Sequence, residues 1–138
     1  RDFSFTVALH TYLGVSDIAA IRLDGLAGGA YVDRANSDAP GRETAAAMTV
    51  TQEIDRVYTD IAPPLRLIDK SRALEISQSG FRDCVIWNPG PQRTARMPDM
   101  EPDGYRRMFA VEAAAIAHPV TLAPGASWEG SQTLRQSD

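Results

Sequence analysis

The chain has 138 residues, 43% of them hydrophobic, so residues 1–138 read as one domain able to bury a core without disulfides or metal. The net charge of −4, carried with scattered Lys and Arg, excludes the basic footprint of a nucleic-acid or anionic-membrane binder. No window approaches the ~18 apolar residues of a membrane span, and the first residues lack the apolar stretch of a signal peptide. The lone Cys84 sits in the apolar run Asp83-Cys84-Val85-Ile86-Trp87 and cannot form an internal disulfide, so a reducing, cytoplasmic setting is expected.

The chain enters an alternating pattern almost at once, in Arg1-Asp2-Phe3-Ser4-Phe5-Thr6-Val7-Ala8-Leu9, with no initiator Met. Natural termini usually carry disordered polar residues, so a piece of a longer protein is expected. Short apolar runs then recur about every ten residues, the rhythm of an antiparallel sandwich or barrel. The predicted strands are 3–12, 19–23, 30–33, 48–58, 65–69, 73–78, 83–88, 108–116, 120–122 and 127–134, separated by Gly- and Pro-rich turns. The stretch 103–119 is two-sided: its alanines favour helix, yet Phe109-Ala110-Val111-Glu112-Ala113 alternates. A strand from Met108 onward, after at most one helical turn, is the expectation.

Three of these segments hold residues capable of chemistry. In the first strand a period of two sends Val7 and Leu9 to one face and Ala8, His10 and Tyr12 to the other. A strand histidine is commonly structural, and only context gives His10 a role. Glu112 interrupts the uncharged run 108–117; a strand there would bury it, at a cost that demands either a function or an arginine partner. Ala110 and Ala114 share its face and would leave a hollow beside the carboxylate. Asp55 lies in the polar strand-like Thr51-Gln52-Glu53-Ile54-Asp55-Arg56-Val57-Tyr58, pointing away from Arg56, either to accept sugar hydroxyls or simply to face solvent. Trp87-Asn88-Pro89 offers an aromatic platform or the core end of a strand. The remaining signals are weak: Gly25-Leu26-Ala27-Gly28-Gly29 reads as a turn, His118 before Pro119 as part of a loop, and no residues stand at metal-ligand spacing.

Taken together, Ala8-Leu9-His10-Thr11-Tyr12, Thr51–Tyr58, Val85-Ile86-Trp87-Asn88-Pro89 and Val111-Glu112-Ala113-Ala114-Ala115 resemble the hexose-6-phosphate mutarotases, or glucose-6-phosphate 1-epimerases, of the aldose 1-epimerase (galactose-mutarotase-like) superfamily. The resemblance runs nearly end to end but matches only the C-terminal part of these longer proteins. It implies an all-β fold, an antiparallel β-supersandwich of which this chain is the C-terminal portion. It also implies interconversion of the α and β anomers of glucose 6-phosphate without cofactor or metal, with His10 as acid, Glu112 as base and Asp55 on the substrate. Leu13 departs from the family's usual aromatic after the Tyr of the histidine motif. The family's phosphate-gripping arginines lie in the part this chain does not match, so Arg56, Arg93 and Arg96 are not assigned to that task. The partner expected is a hexose 6-phosphate or related sugar, with a monomer for the full-length protein and self-association for a truncated one. The competing readings are a non-catalytic carbohydrate-binding module and an inactive truncated homologue.

Overall fold

Two antiparallel sheets make up the computed structural model, which describes residues 1–137. Its strands are β1 (Phe3–Ala8), β2 (Tyr12–Gly14), β3 (Arg22–Asp24), β4 (Ala30–Asp33), β5 (Ala39–Arg42), β6 (Ala47–Met48), β7 (Ile54–Tyr58), β8 (Leu65–Asp69), β9 (Arg72–Ser79), β10 (Asp83–Asn88), β11 (Met108–Leu122) and β12 (Ser131–Ser137), with one short α-helix, α1 (Gly90–Thr94), and 3-10 turns at Arg34–Asn36 and Gly104–Arg107. One sheet is seven-stranded, in the order β1-β11-β10-β7-β4-β5 with β2 also on β11; the other is five-stranded, β12-β9-β8-β3-β6. This is the all-β sandwich that the strand rhythm predicts. No helix among the described residues is long and apolar enough to cross a membrane.

Alternation explains which residues meet between the layers. Ile54, Tyr58, Cys84, Ile86, Phe109 and Val111 of the larger sheet pack on Leu23, Met48, Leu65, Leu67 and Ile76 of the smaller one in a single core. Asp55 and Val57 of β7, Val85 and Trp87 of β10, and Ala110, Glu112 and Ala114 of β11 therefore face outward, away from the second sheet. That outer face is not simply solvated: Val57, Val85 and Ala114 are buried there, with Ala8, Trp87 and Ile116 packed against them. It forms the floor on which the polar residues of interest stand.

The strands differ from the sequence expectation in four instructive places. The stretch 3–12 is broken after Ala8, where Thr11 donates its amide to the Leu9 carbonyl at 2.8 Å, a three-residue turn with His10 at its apex. The stretch 48–58 splits because the chain crosses between layers, β6 joining the smaller sheet and β7 the larger. Ala39–Arg42 reads as punctuation for its Pro40-Gly41, yet it pairs with β4 as the edge of the sheet, where a missing proline N–H is tolerated. The stretches 108–116 and 120–122 are one strand, β11, that carries Pro119 through a bulge. Asn88, 1% exposed, secures the end of β10: its side-chain amide donates to the carbonyls of Tyr105 (2.8 Å) and Met108 (2.9 Å), and its Oδ1 accepts the Gly90 amide (2.9 Å).

Candidate active site

Strand register assembles the site in two adjacent rows across the outer face. In the first, Tyr12 faces Ala110, Ala110 faces Trp87, and Trp87 faces Asp55. Val32 opposite Val57 and Asp33 opposite Arg56 carry the same register one step on, to Arg34 beside Asp55. In the second row Val57 faces Val85 and Val85 faces Glu112. The flanking pairs Ala8–Ala114 and Tyr12–Ala110 place His10 opposite Glu112. Residues more than a hundred positions apart in sequence thus become cross-strand neighbours.

Glu112 is 3% exposed, and its Oε2 lies 2.9 Å from His10 Nδ1, whose side chain is 74% exposed. Burial pushes the Glu112 carboxyl above the ordinary carboxylate range; the neighbouring His10 ring and Arg34 charge oppose this, while Asp55 adds to it. A carboxylate so placed is more basic than one in water and lies against an imidazole ring. Oε1 lies outside this contact.

Asp55 is 9% exposed, so the solvated sheet face offered as one reading of the sequence does not describe it. Arg34 donates both Nε (2.9 Å) and Nη2 (2.7 Å) to Asp55 Oδ1, leaving Oδ2 outside the pair. Trp87 is half-buried and stacks on Tyr12 with ring centroids 5.6 Å apart and planes inclined by 27°. Strands two positions apart lie about 9–10 Å from each other, so the rings must lean together over the intervening Ala110. That explains why Ala110 has no exposure: the expected hollow on its side of Glu112 is covered by an aromatic platform, and Ala114 on the other side is equally buried.

His10, Asp55 and Glu112, singled out in three separate strands, are therefore brought onto one face. Arg34 was missed, because a lone arginine after a short strand carries no motif; its signal is the β4–β7 register, which only the fold reveals. Arg56 points between the sheets, over the Tyr31 ring at 4.3 Å and 3.3 Å from Glu43, and Arg93 pairs with Glu53 at 3.1 Å. Neither makes a hydrogen bond or ion pair with His10, Asp55 or Glu112. Among the described residues, no group of three or more His, Cys, Asp or Glu side chains is placed to hold a metal ion.

A two-layer β-sandwich with a histidine, two carboxylates and an aromatic pair on one outer face is an arrangement suited to binding a ring and moving its protons. The chain belongs to the aldose 1-epimerase family, whose model matches residues 1–135. It is 36% identical over 136 residues to a protein of Cenchrus ciliaris named "Putative glucose-6-phosphate 1-epimerase", covering 97% of this chain and 41% of that one. An Escherichia coli protein of the same name is 34% identical over 115 residues, covering 82% and 39%. The crystal structure of "a putative mutarotase (YeaD) from Salmonella typhimurium" superposes with a TM-score of 0.91 at 30% identity, over 99% of this chain and 46% of that one. The chain spans about two fifths of the length of these curated relatives.

Proposed function

We propose that this chain carries the acid–base machinery of a hexose-6-phosphate mutarotase, with Glu112 as base, His10 as acid and Asp55 holding the sugar. The observation that carries the reading is the 2.9 Å contact between His10 Nδ1 and the buried Glu112 Oε2. A binding surface has no need of an exposed imidazole against a buried carboxylate.

The chemistry is that of a hemiacetal. Glu112 takes the proton of the anomeric hydroxyl as protonated His10 gives one to the ring oxygen. The C1–ring-oxygen bond breaks, and an aldehyde forms. Rotation about C1–C2 followed by the reverse transfers yields the other anomer, so protons balance over the cycle. The two groups touch, whereas the reaction wants them on either side of the substrate. His10, at the apex of an exposed turn, is the partner that can swing aside, and Glu112 Oε1 and His10 Nε2 are the atoms left to face a sugar. Asp55 Oδ2 is free to accept ring hydroxyls while Arg34 fixes Oδ1, which turns orientation into rate. The Tyr12–Trp87 stack presents an aromatic surface to the apolar face of a pyranose.

The glucose 6-phosphate assignment follows the names of the relatives. Its test is an anomerisation assay of the intact protein on glucose 6-phosphate and on glucose. The phosphorylated sugar should be strongly preferred; equal rates would remove the phosphosugar assignment, and no rate on either would leave the carbohydrate-binding reading in place.

A further inference from the structure

The pairing of β1 with β11 changes register once. Phe3, Ser4 and Phe5 face Leu122, Thr121 and Val120, whereas Val7 and Ala8 face Ala115 and Ala114. Thr6 alone therefore stands opposite Ile116, Ala117, His118 and Pro119, and three extra residues bulge out of β11. Were the first register to continue, His10 would face Ala115 and Glu112 would face Leu13. Because the shift is odd, His10 and Glu112 would then lie on opposite faces of the sheet. The bulge is what brings them together.

A bulge loses ladder hydrogen bonds and needs others in their place. Asp83, which has no exposure and faces Ala114 in the β10–β11 ladder, supplies them. Its Oδ2 accepts the amides of Ile116 (2.8 Å) and His118 (3.0 Å), and its Oδ1 lies 2.8 Å from His118 Nδ1. On its far side the His118 ring places Nε2 3.5 Å from Asp60 Oδ2, while Asp60 Oδ1 accepts Nε of Arg82 at 2.9 Å. Burial would raise the Asp83 carboxyl, but the His118 ring and the two amides outweigh it and hold the group below its ordinary range. The acceptor is thus kept charged inside the sheet.

We propose that Asp83 and His118 are positioning residues for the reaction: they lock the three-residue bulge in β11, and with it the register that sets His10 opposite Glu112. The proposal rests on the acid–base reading of that pair, but its structural half is measured separately. In the intact protein His118→Ala removes the ring, His118→Asn keeps an N–H donor near the Nδ1 position, and Asp83→Asn keeps size but loses an acceptor. With nitrogen-labelled histidine, the ring signal that disappears in His10→Asn is the signature of His10. His118→Ala should move that signature toward the one seen in Glu112→Gln, where the ionic contact is gone. It should also lower kcat on glucose 6-phosphate by roughly tenfold or more with KM within about twofold, as a misplaced acid does. His118→Asn should restore both, and Asp83→Asn should shift both in the direction of His118→Ala. A His118→Ala protein with the parental His10 signature and kcat would overturn the proposal, as would an asparagine variant no better than the alanine one. Should His118→Ala not fold, a parental His10 signature in Asp83→Asn decides against it. A parent with no anomerase activity contradicts the functional reading, whereas the His10 signature still decides whether Asp83 and His118 set the contact.

Discussion

Glu112 is a liability in the folded state and, in the proposed mechanism, the base. Its carboxyl is raised by burial, so its ionised form costs stability in the folded state. For a raised acid the favourable contribution is complete below the unfolded pKa and is lost as pH rises through the folded one. Glu112→Gln should therefore raise the melting temperature at neutral pH, by about 3–5 °C for each kcal/mol recovered in a chain of this size, and the gain should vanish in acid. A variant less stable than the parent at neutral pH would mean that His10 more than offsets the burial. Cys84 is the contrasting case: it has no exposure, and burial, helped by the charge of Glu112, pushes its thiol up to about 12. It should ignore a disulfide reagent in the native protein and titrate fully in guanidinium; rapid native labelling would contradict that packing.

Strands and their pairings, more than single residues, define the site. The Tyr12–Trp87 stack depends on Ala110 between them, and Ala110→Leu should wedge the rings apart. The expected cost is about 1–3 kcal/mol of stability from overpacking, read by denaturant unfolding, together with a KM raised several-fold. An unchanged KM would remove the aromatic pair from substrate binding. At this scale the sequence was most legible in the first part of β11, where Phe109 and Val111 alternate with Ala110 and Glu112, and less so in β7 and β10, where both faces carry apolar residues. It was least legible where geometry replaces pattern. Nothing in Leu9-His10-Thr11 signals the turn that lifts His10 out of the strand, and nothing in Ile116-Ala117-His118-Pro119 counts out a bulge of three. His118 reads as loop furniture because its partner Asp83 lies on another strand, and Arg34 is invisible for the same reason. Trp87, which reads more readily as the end of a core strand, turns out to stand on the outer face.

For the molecule as a whole, the sheet edges matter. Phe3 is 62% exposed and stacks on Phe5 in the edge strand β1, and Leu134 of the other sheet's edge strand β12 is 44% exposed. Unpaired edges beside exposed apolar groups favour association. The 138-residue chain in isolation should therefore show a concentration-dependent mass by light scattering; a constant monomer mass across the accessible range would show these edges to be adequately protected.

The central claim, that His10 and Glu112 act as acid and base on a sugar ring, is tested most directly by the pH dependence of kcat/KM for glucose 6-phosphate in the intact protein, measured on the parent, Glu112→Gln and His10→Asn. One group must be ionised and the other protonated, so the parent should give a bell, with its acid limb above the ordinary carboxylate range because burial raises Glu112. Each substitution should cost on the order of a hundredfold to ten-thousandfold in rate, Glu112→Gln erasing the acid limb and His10→Asn the alkaline one. A variant within a few-fold of the parental rate, or one that keeps the limb assigned to the residue it lacks, would contradict the assignment.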